Sequence, residues 1–357
     1  MKLTLLGGGG FRVPLMFRTL LADQSDRRVT ELRLWDTDAG RLAVIRSILQ
    51  AMAQGHPRAP EVRVAQNLEE AVAGTDFVFS AIRVGGTEGR ATEETIAHCC
   101  GVLGQETTGF GGLDYALRGI PTAVRIAETI ARLAPGAHLI NFTNPAGIIT
   151  EVSSRILGDR VIGICDSPVG LARRVLDTLE GAGLVATGTA SRVIAGDDRV
   201  RLDYVGLNHL GWLQRLLVDG DDVLPLLLER PDLIESFEEG RLFGAGWLRQ
   251  LGSVPNEYLH YYYFARETRR ADEAVEATRG VFLAAQQRDF YARAATLPGP
   301  EAYALWEATR LRREETYMAS NRLAAGGVER DAADLASGGY DRVALAVMKA
   351  IAFDETT

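Results

Sequence analysis

Lys2-Leu3-Thr4-Leu5-Leu6-Gly7-Gly8-Gly9-Gly10, followed by Glu31-Leu32-Arg33-Leu34-Trp35-Asp36, sets the fold class of this 357-residue chain. An apolar run breaks into four glycines, and a helical pattern then runs through Pro14, Met16, Phe17, Leu20 and Leu21. Glu31 to Trp35 reads as a second strand that ends on an acid. Strand, glycine turn, helix and acid-tipped strand is the order that binds a dinucleotide. Bare glycine backbone can approach a pyrophosphate, a helix N-terminus offers oriented N–H groups, and a carboxylate at the second strand end can hold a ribose diol. Gly7, Gly8, Gly9, Phe11, Arg12 and Asp36 are the candidate cofactor residues, with Arg12 where the fingerprint has its third glycine. Asp36 repels a 2′-phosphate, so NAD is expected over NADP.

Working outward, Leu42, Ile45, Ile48, Leu49 and Met52 fall at helical steps. Val62 to Ala65, Phe77 to Ile82, His138 to Phe142 and Val161 to Ile164 read as further strands between helical stretches. Alternating strands and helices imply parallel pairing, hence an α/β, doubly wound, Rossmann-like sheet. From about residue 184 the texture changes: Arg192 to Val205 reads as antiparallel strands, and beyond residue 222 the pattern is almost entirely helical. The expected division is an NAD-binding domain over 1–165. A mixed α+β, largely helical domain over 166–357 would serve substrate, metal and oligomerisation.

Composition narrows the function classes. A formal net charge of −8 argues against a nucleic-acid footprint and an anionic membrane surface. Three cysteines are too few for a disulfide framework. No signal pattern opens the chain, and no apolar run reaches the roughly 18–20 residues that span a bilayer, so a cytoplasmic protein is expected.

Val161-Ile162-Gly163-Ile164-Cys165-Asp166-Ser167-Pro168 and Gly206-Leu207-Asn208-His209-Leu210-Gly211 carry the chemistry. Thiolate and imidazole together suit a borderline divalent metal. Taken singly, Cys165 is more often a buried small hydrophobe and His209 a satisfied structural histidine. With Asn141-Phe142-Thr143-Asn144-Pro145-Ala146-Gly147, they become polar loops at carboxyl ends of strands, where open α/β sheets place ligands. Cys99 and Cys100, in a helical stretch, read as core.

The chain resembles glycoside hydrolase family 4, the NAD- and metal-dependent glycosidases, and most of all its 6-phospho-β-glucosidases; this NAD-dependent family stands outside the two-carboxylate glycosidase scheme. The resemblance runs from Leu5 to about Asp354. It rests on the glycine turn, Ile82-Arg83-Val84-Gly85-Gly86, Gly104-Gln105-Glu106-Thr107-Thr108-Gly109, Asn141 to Pro145, Cys165 to Pro168, Asn208-His209, and Val254-Pro255-Asn256-Glu257-Tyr258-Leu259. It implies that Cys165 and His209 bind a divalent metal, usually manganese (Mn2+), and that Arg83 joins the cofactor site. It further implies Tyr258 as catalytic base, Asn144 and Glu106 as sugar contacts, and Arg90 and Arg279 as anchors for a 6-phosphate. The implied chemistry is oxidation at C3, proton removal at C2, departure at C1, water addition and return of the hydride. Tyr261, Tyr262 and Tyr263 remain alternative bases. Asp166, a candidate general acid, resembles members acting on 6-phospho-α-glucosides. The implied partner is a small phosphorylated glycoside, with a homo-oligomer (dimer or tetramer) and neither nucleic acid nor membrane. The competing readings are a 6-phospho-α-glucosidase or other family 4 glycosidase, an NAD-dependent 2-hydroxyacid dehydrogenase, and a non-catalytic nucleotide sensor.

Overall fold

The computed structural model describes residues 1–275, 277–327, 330 and 339–355, with the side chains of 194 and 195 set aside. It divides into two compact units. The first comprises Met1–Ile164, Ala277–Arg313 and Ile351–Phe353; the second begins at Cys165 and resumes at Glu314. The expected division at 165/166 contains no such return of Ala277–Arg313 to the first unit.

In the first unit, β1 (Lys2–Leu6), β2 (Glu31–Trp35), β3 (Glu61–Val64), β4 (Phe77–Ser80), β5 (His138–Asn141) and β6 (Val161–Gly163) form one sheet, ordered β3-β2-β1-β4-β5-β6. Every pairing is parallel, with Leu3 opposite Leu32 on one side and Phe77 on the other. This is the doubly wound order, whose switch point lies beside β1. β4 is buried along its whole length, as a central parallel strand must be. The helix Gly109–Leu133 lays Ile126, Ala127 and Ile130 against Leu6, Val78 and Leu139. The helix Ala39–Ala53 starts where Asp38 accepts the Arg41 N–H at 2.9 Å, satisfying one of its orphan donors.

The returning segment braces the glycine turn. Trp306, fully buried on the helix Gly299–Glu315, donates its indole N–H to the Phe11 carbonyl at 2.7 Å. Phe290 meets Phe11 edge-on at 5.1 Å, and the Tyr291 hydroxyl donates to the Gly9 carbonyl at 2.6 Å.

In the second unit, β7 (Val200–Leu207) and β8 (Leu210–Val218) form an antiparallel hairpin flanked by β9 (Asp221–Asp222) and β10 (Val254–Pro255). The helix Ser167–Gly181 packs Leu171, Val175, Leu176 and Leu179 against Leu213 and Leu216 of β8. Two sequence expectations change. Residues 189–195 are helical, so the strand starts at Val200, beyond the left-handed Gly196 that stops the helix. Cys99 and Cys100 are exposed at the end of the helix Gly86–Cys99, not core residues. No helix among the described residues is long and apolar enough to cross a membrane.

Two measurements test this packing. Trp306→Ala should lower unfolding stability by about 3–5 kcal/mol, whereas Trp306→Phe should cost about 1 kcal/mol more than its lost volume alone. Urea titration of both variants reads the difference. His260 is 1% exposed, and its Nδ1 lies 3.0 Å from the Thr268 hydroxyl and 3.1 Å from the Asn321 amide nitrogen. Burial lowers this imidazole to about 4. The unfolded chain therefore binds the extra proton first, so stability present above about pH 6.5 is lost as pH falls towards 4, by about 3 kcal/mol for one such group. His260→Phe should flatten this part of the pH–stability curve; an unchanged slope would refute the neutral assignment.

Candidate active site

At the carboxyl end of β1 the Gly7 and Gly8 N–H groups donate to the Trp35 carbonyl at 3.0 and 2.9 Å, folding the turn across β2. Gly7 has φ 85°, and a Cβ there would lie 2.6 Å from the Ala81 carbonyl oxygen. Asp36 accepts the Gly9 N–H at 2.9 Å through one oxygen and the Asp38 N–H at 2.9 Å through the other. Arg12 occupies the N-cap position of the helix Val13–Ala22. A bare turn at a helix N-terminus, beside an acid ending the next strand, fits a dinucleotide.

Also in the first unit, Glu106 is clasped by Arg83 and Arg90. Arg83 lies over the Tyr115 ring at 4.7 Å. Arg90, 8% exposed, donates to Glu94 Oε1 at 2.7 Å, while the other Glu94 oxygen accepts the Gly280 N–H. Glu94 thereby brings Arg90 and the Arg279–Gly280 helix start together. The Arg279 guanidinium donates to the Arg313 carbonyl at 2.9 Å and lies 5.0 Å from the Phe282 ring. Asn144 lies in the loop after β5, whose Asn141 side chain accepts the Thr143 N–H at 3.1 Å. The bridging Glu94 was not singled out from sequence, where it is one acid in a polar helix.

The second unit holds the other cluster. Leu207 pairs with Leu210, so Asn208 and His209 are the two turn residues between β7 and β8. Asn208 takes φ 48°, which Asn tolerates in such a turn. Gly206 has φ 130°, and a Cβ there would meet the Leu210 carbonyl at 2.1 Å. The Tyr204 hydroxyl donates to the Asn208 carbonyl at 2.9 Å. The Asn256 N–H donates to the Gly211 carbonyl at 2.9 Å, and its side chain accepts the Tyr258 N–H at 3.1 Å. The 3-10 turn Glu257–Leu259 is thus tied to the hairpin tip.

The result is a compact cluster. The Cys165 sulfur lies 3.3 Å from His209 Nε2, and the Asp166 carboxylate 3.9 Å from that sulfur. The Tyr258 ring stacks on His209 at 3.8 Å and 4°. Of the neighbouring tyrosines, Tyr261 sits 6.1 Å from Tyr258 ring to ring, Tyr262 is half exposed, and Tyr263 accepts the Trp212 indole N–H. Burial, then the Asp166 charge, pushes the Cys165 thiol up to about 12; burial pushes His209 down to about 4 and the Tyr258 hydroxyl well above its ordinary value. Glu257 is also raised, by burial and by Glu239 behind it. A cation would reverse this bias, displacing the thiol proton and using a neutral imidazole.

Donors about 2.0 and 2.3 Å from one cation, at roughly 90–110°, stand about 3.1–3.5 Å apart. The 3.3 Å separation of Sγ and Nε2 fits that span. Among the described residues, no group of three or more His, Cys, Asp or Glu side chains is arranged to hold a metal.

The first unit thus carries a dinucleotide-type sheet, and the second a thiol–imidazole–phenol cluster with a candidate metal pair. The chain belongs to family 4 of the glycosyl hydrolases: the family 4 glycosyl hydrolase model matches residues 2–180, and that of the family's C-terminal domain residues 204–357. It is 30% identical to a probable 6-phospho-beta-glucosidase of Bacillus subtilis, over 78% of this chain and 62% of that protein. It is 31% identical to a 6-phospho-alpha-glucosidase of Leptotrichia buccalis, over 74% of this chain and 60% of that one. The chain spans about three fifths of the length of the curated relatives it matches. The structure of the Thermotoga maritima 6-phospho-beta glucosidase with manganese, NAD+ and glucose-6-phosphate is similar at TM-score 0.70 and 26% identity, over 88% of this chain and 72% of that one.

Gly206→Ala tests the hairpin that carries His209. The added methyl should cost more than about 1 kcal/mol and shift the turn. Urea unfolding and the aromatic near-ultraviolet circular dichroism of the His209–Tyr258 stack should both change, and wild-type values for both would overturn the geometric reading.

Proposed function

We propose that this chain hydrolyses 6-phospho-β-glucosides, using NAD and a divalent metal such as Mn2+. The observation that supports this most is the approach of Cys165, His209 and Tyr258, at 3.3 Å between sulfur and nitrogen and 3.8 Å between rings. When bound, NAD supplies reversible hydride acceptance at sugar C3, and the metal supplies Lewis-acid stabilisation of charge at the C2 and C3 oxygens. Cys165 and His209 hold the metal. The turn from Gly7 to Arg12 and Asp36 hold the pyrophosphate and ribose, with Arg83 beside the cofactor. Tyr258 removes the C2 proton, Asp166 gives a proton to the leaving oxygen, Glu106 and Asn144 contact sugar hydroxyls, and Arg90 and Arg279 anchor the 6-phosphate.

The β preference rests on the resemblance of the motifs surrounding Asp166 and on relatives such as the Bacillus subtilis protein; Asp166 is the residue that favours the α-anomer instead. A panel of 6-phospho-α- and 6-phospho-β-glucosides and their unphosphorylated forms, with NAD, Mn2+ and reductant, decides between them. The expected outcome is cleavage of the phosphorylated β-glucoside that needs both additives, yields no net NADH, and in deuterated water places deuterium at C2 of the released sugar. Faster cleavage of the α-anomer moves the assignment to a 6-phospho-α-glucosidase. Steady NADH formation with a 2-hydroxyacid overturns the hydrolase reading. Cys165→Ser and His209→Ala should each weaken Mn2+ binding at least about tenfold by titration calorimetry, with NAD affinity unchanged.

A further inference from the structure

The Tyr258 ring is held at its face by His209, but a second contact fixes its hydroxyl. The Tyr317 hydroxyl lies 3.1 Å from the Tyr258 hydroxyl and 3.4 Å from Glu257 Oε1. That same carboxylate oxygen accepts the Ser167 hydroxyl at 3.0 Å. Glu257 is 4% exposed, and its second oxygen is buried without a hydrogen-bond partner. Tyr317 therefore has one proton and two acceptors, and its position is set from several sides. Met318 takes φ 50° and is itself buried, turning the chain so that Tyr317 enters the cluster. The Arg330 guanidinium covers the Tyr317 ring at 5.2 Å and is paired with Glu238 at 3.0 Å. Behind Glu257, Arg174 and Glu239 form a buried ion pair.

We propose that Tyr317, anchored by Glu257, is a positioning residue that fixes the Tyr258 hydroxyl for proton removal from the substrate. The proposal rests on the reading of Tyr258 as the base. A ring stacked on one face can still slide and swing in its own plane. The bond from Tyr317 removes that freedom at the oxygen, the atom that must meet the C2–H bond. A buried oxygen also needs a donor in place of water; the Tyr317 O–H supplies one, shared with the more distant Glu257 oxygen, which the Ser167 hydroxyl holds in place.

The test is Tyr317→Phe in the full chain, assayed with a 6-phosphoglucoside, NAD and Mn2+ beside wild type and Tyr258→Phe. The expected result is a folded variant whose kcat falls between about 10- and 100-fold, as misplacement of a reacting group does. KM should stay within about twofold, and the isotope effect of a C2-deuterated substrate should grow because proton removal becomes slower. In protein carrying 13C-labelled tyrosine, without substrate or cofactors, the Tyr258 Cζ resonance should move, since that carbon reports the hydrogen bond on its oxygen. Tyr258→Phe assigns that resonance.

Wild-type kcat, isotope effect and Cζ shift in Tyr317→Phe overturn the positioning role. Should that variant unfold, Glu257→Gln keeps an acceptor but weakens the anchor, and a smaller fall in kcat at constant KM is expected; unaltered kcat there overturns the proposal as well. If Tyr258→Phe itself retains C2 exchange, the base assignment fails and this proposal falls with it. If Tyr258→Phe loses exchange while Tyr317→Phe keeps full rate, only the proposal about Tyr317 fails.

Discussion

Burial governs the chemistry available around Cys165. Withdrawing water penalises every charged form, so the thiol moves up, the imidazole down and the phenol up, and the cluster is neutral in the protein alone. A neutral thiol, imidazole and phenol in contact do little acid–base work at neutral pH. A bound cation would reverse this bias, and the separation of sulfur and nitrogen suits two ligands of one cation. The hairpin register, the Asn256–Gly211 bond and the left-handed Asn208 all serve that spacing. Each acts through backbone, which holds position more firmly than a side chain could.

The first unit solves a different problem. A glycine turn has no side chains with which to pack, so its rigidity has to come from neighbours. Here they arrive from nearly 300 residues away in sequence: Tyr291 on the Gly9 carbonyl, Trp306 on the Phe11 carbonyl, and Arg313 over the Phe11 ring at 4.0 Å. The turn's carbonyls are thus satisfied from one side. Its glycine N–H groups are placed by Trp35 and Asp36.

The sheet was legible because parallel strands buried on both faces write themselves as short apolar runs, and each run was bounded by glycine or by a polar loop. The glycine turn and its acid were legible for the same local reason. The return of Ala277–Arg313 to the first unit was not, since a helix such as Arg279–Ala294 shows an apolar stripe without showing which core it joins. Residues 192–195 misled because Val193 and its neighbours are β-branched or small, and the stop at Gly196 outweighed their strand preference. Cys99 and Cys100 misled because residue type was read without the helix end that exposes them. Cys165 and His209 could be named from motifs, but their contact depends on hairpin register 44 residues away. Tyr317 carried no signal at all, being one tyrosine after a charged helix.

Asp166 links the question of anomer to the question of metal. It stands at the N-cap of the helix Ser167–Gly181, directly after Cys165, and its charge is the second cause, after burial, that raises the thiol. An amide at this position would remove a negative charge beside a sulfur that has to become negative itself. The carboxylate therefore makes the thiolate harder to form in the empty protein and makes a bound cation more favourable, since it adds one more negative group within reach. An Asp here consequently does two things at once: it offers a proton donor or acceptor next to the candidate metal pair, and it ties the ionisation of Cys165 more tightly to the presence of a cation. Sequence identity to α- and β-acting relatives is equal to within 1%, at 31% and 30%, so it does not weigh these effects. The charge at position 166 is the local feature that either anomer's leaving oxygen would meet beside the candidate metal pair.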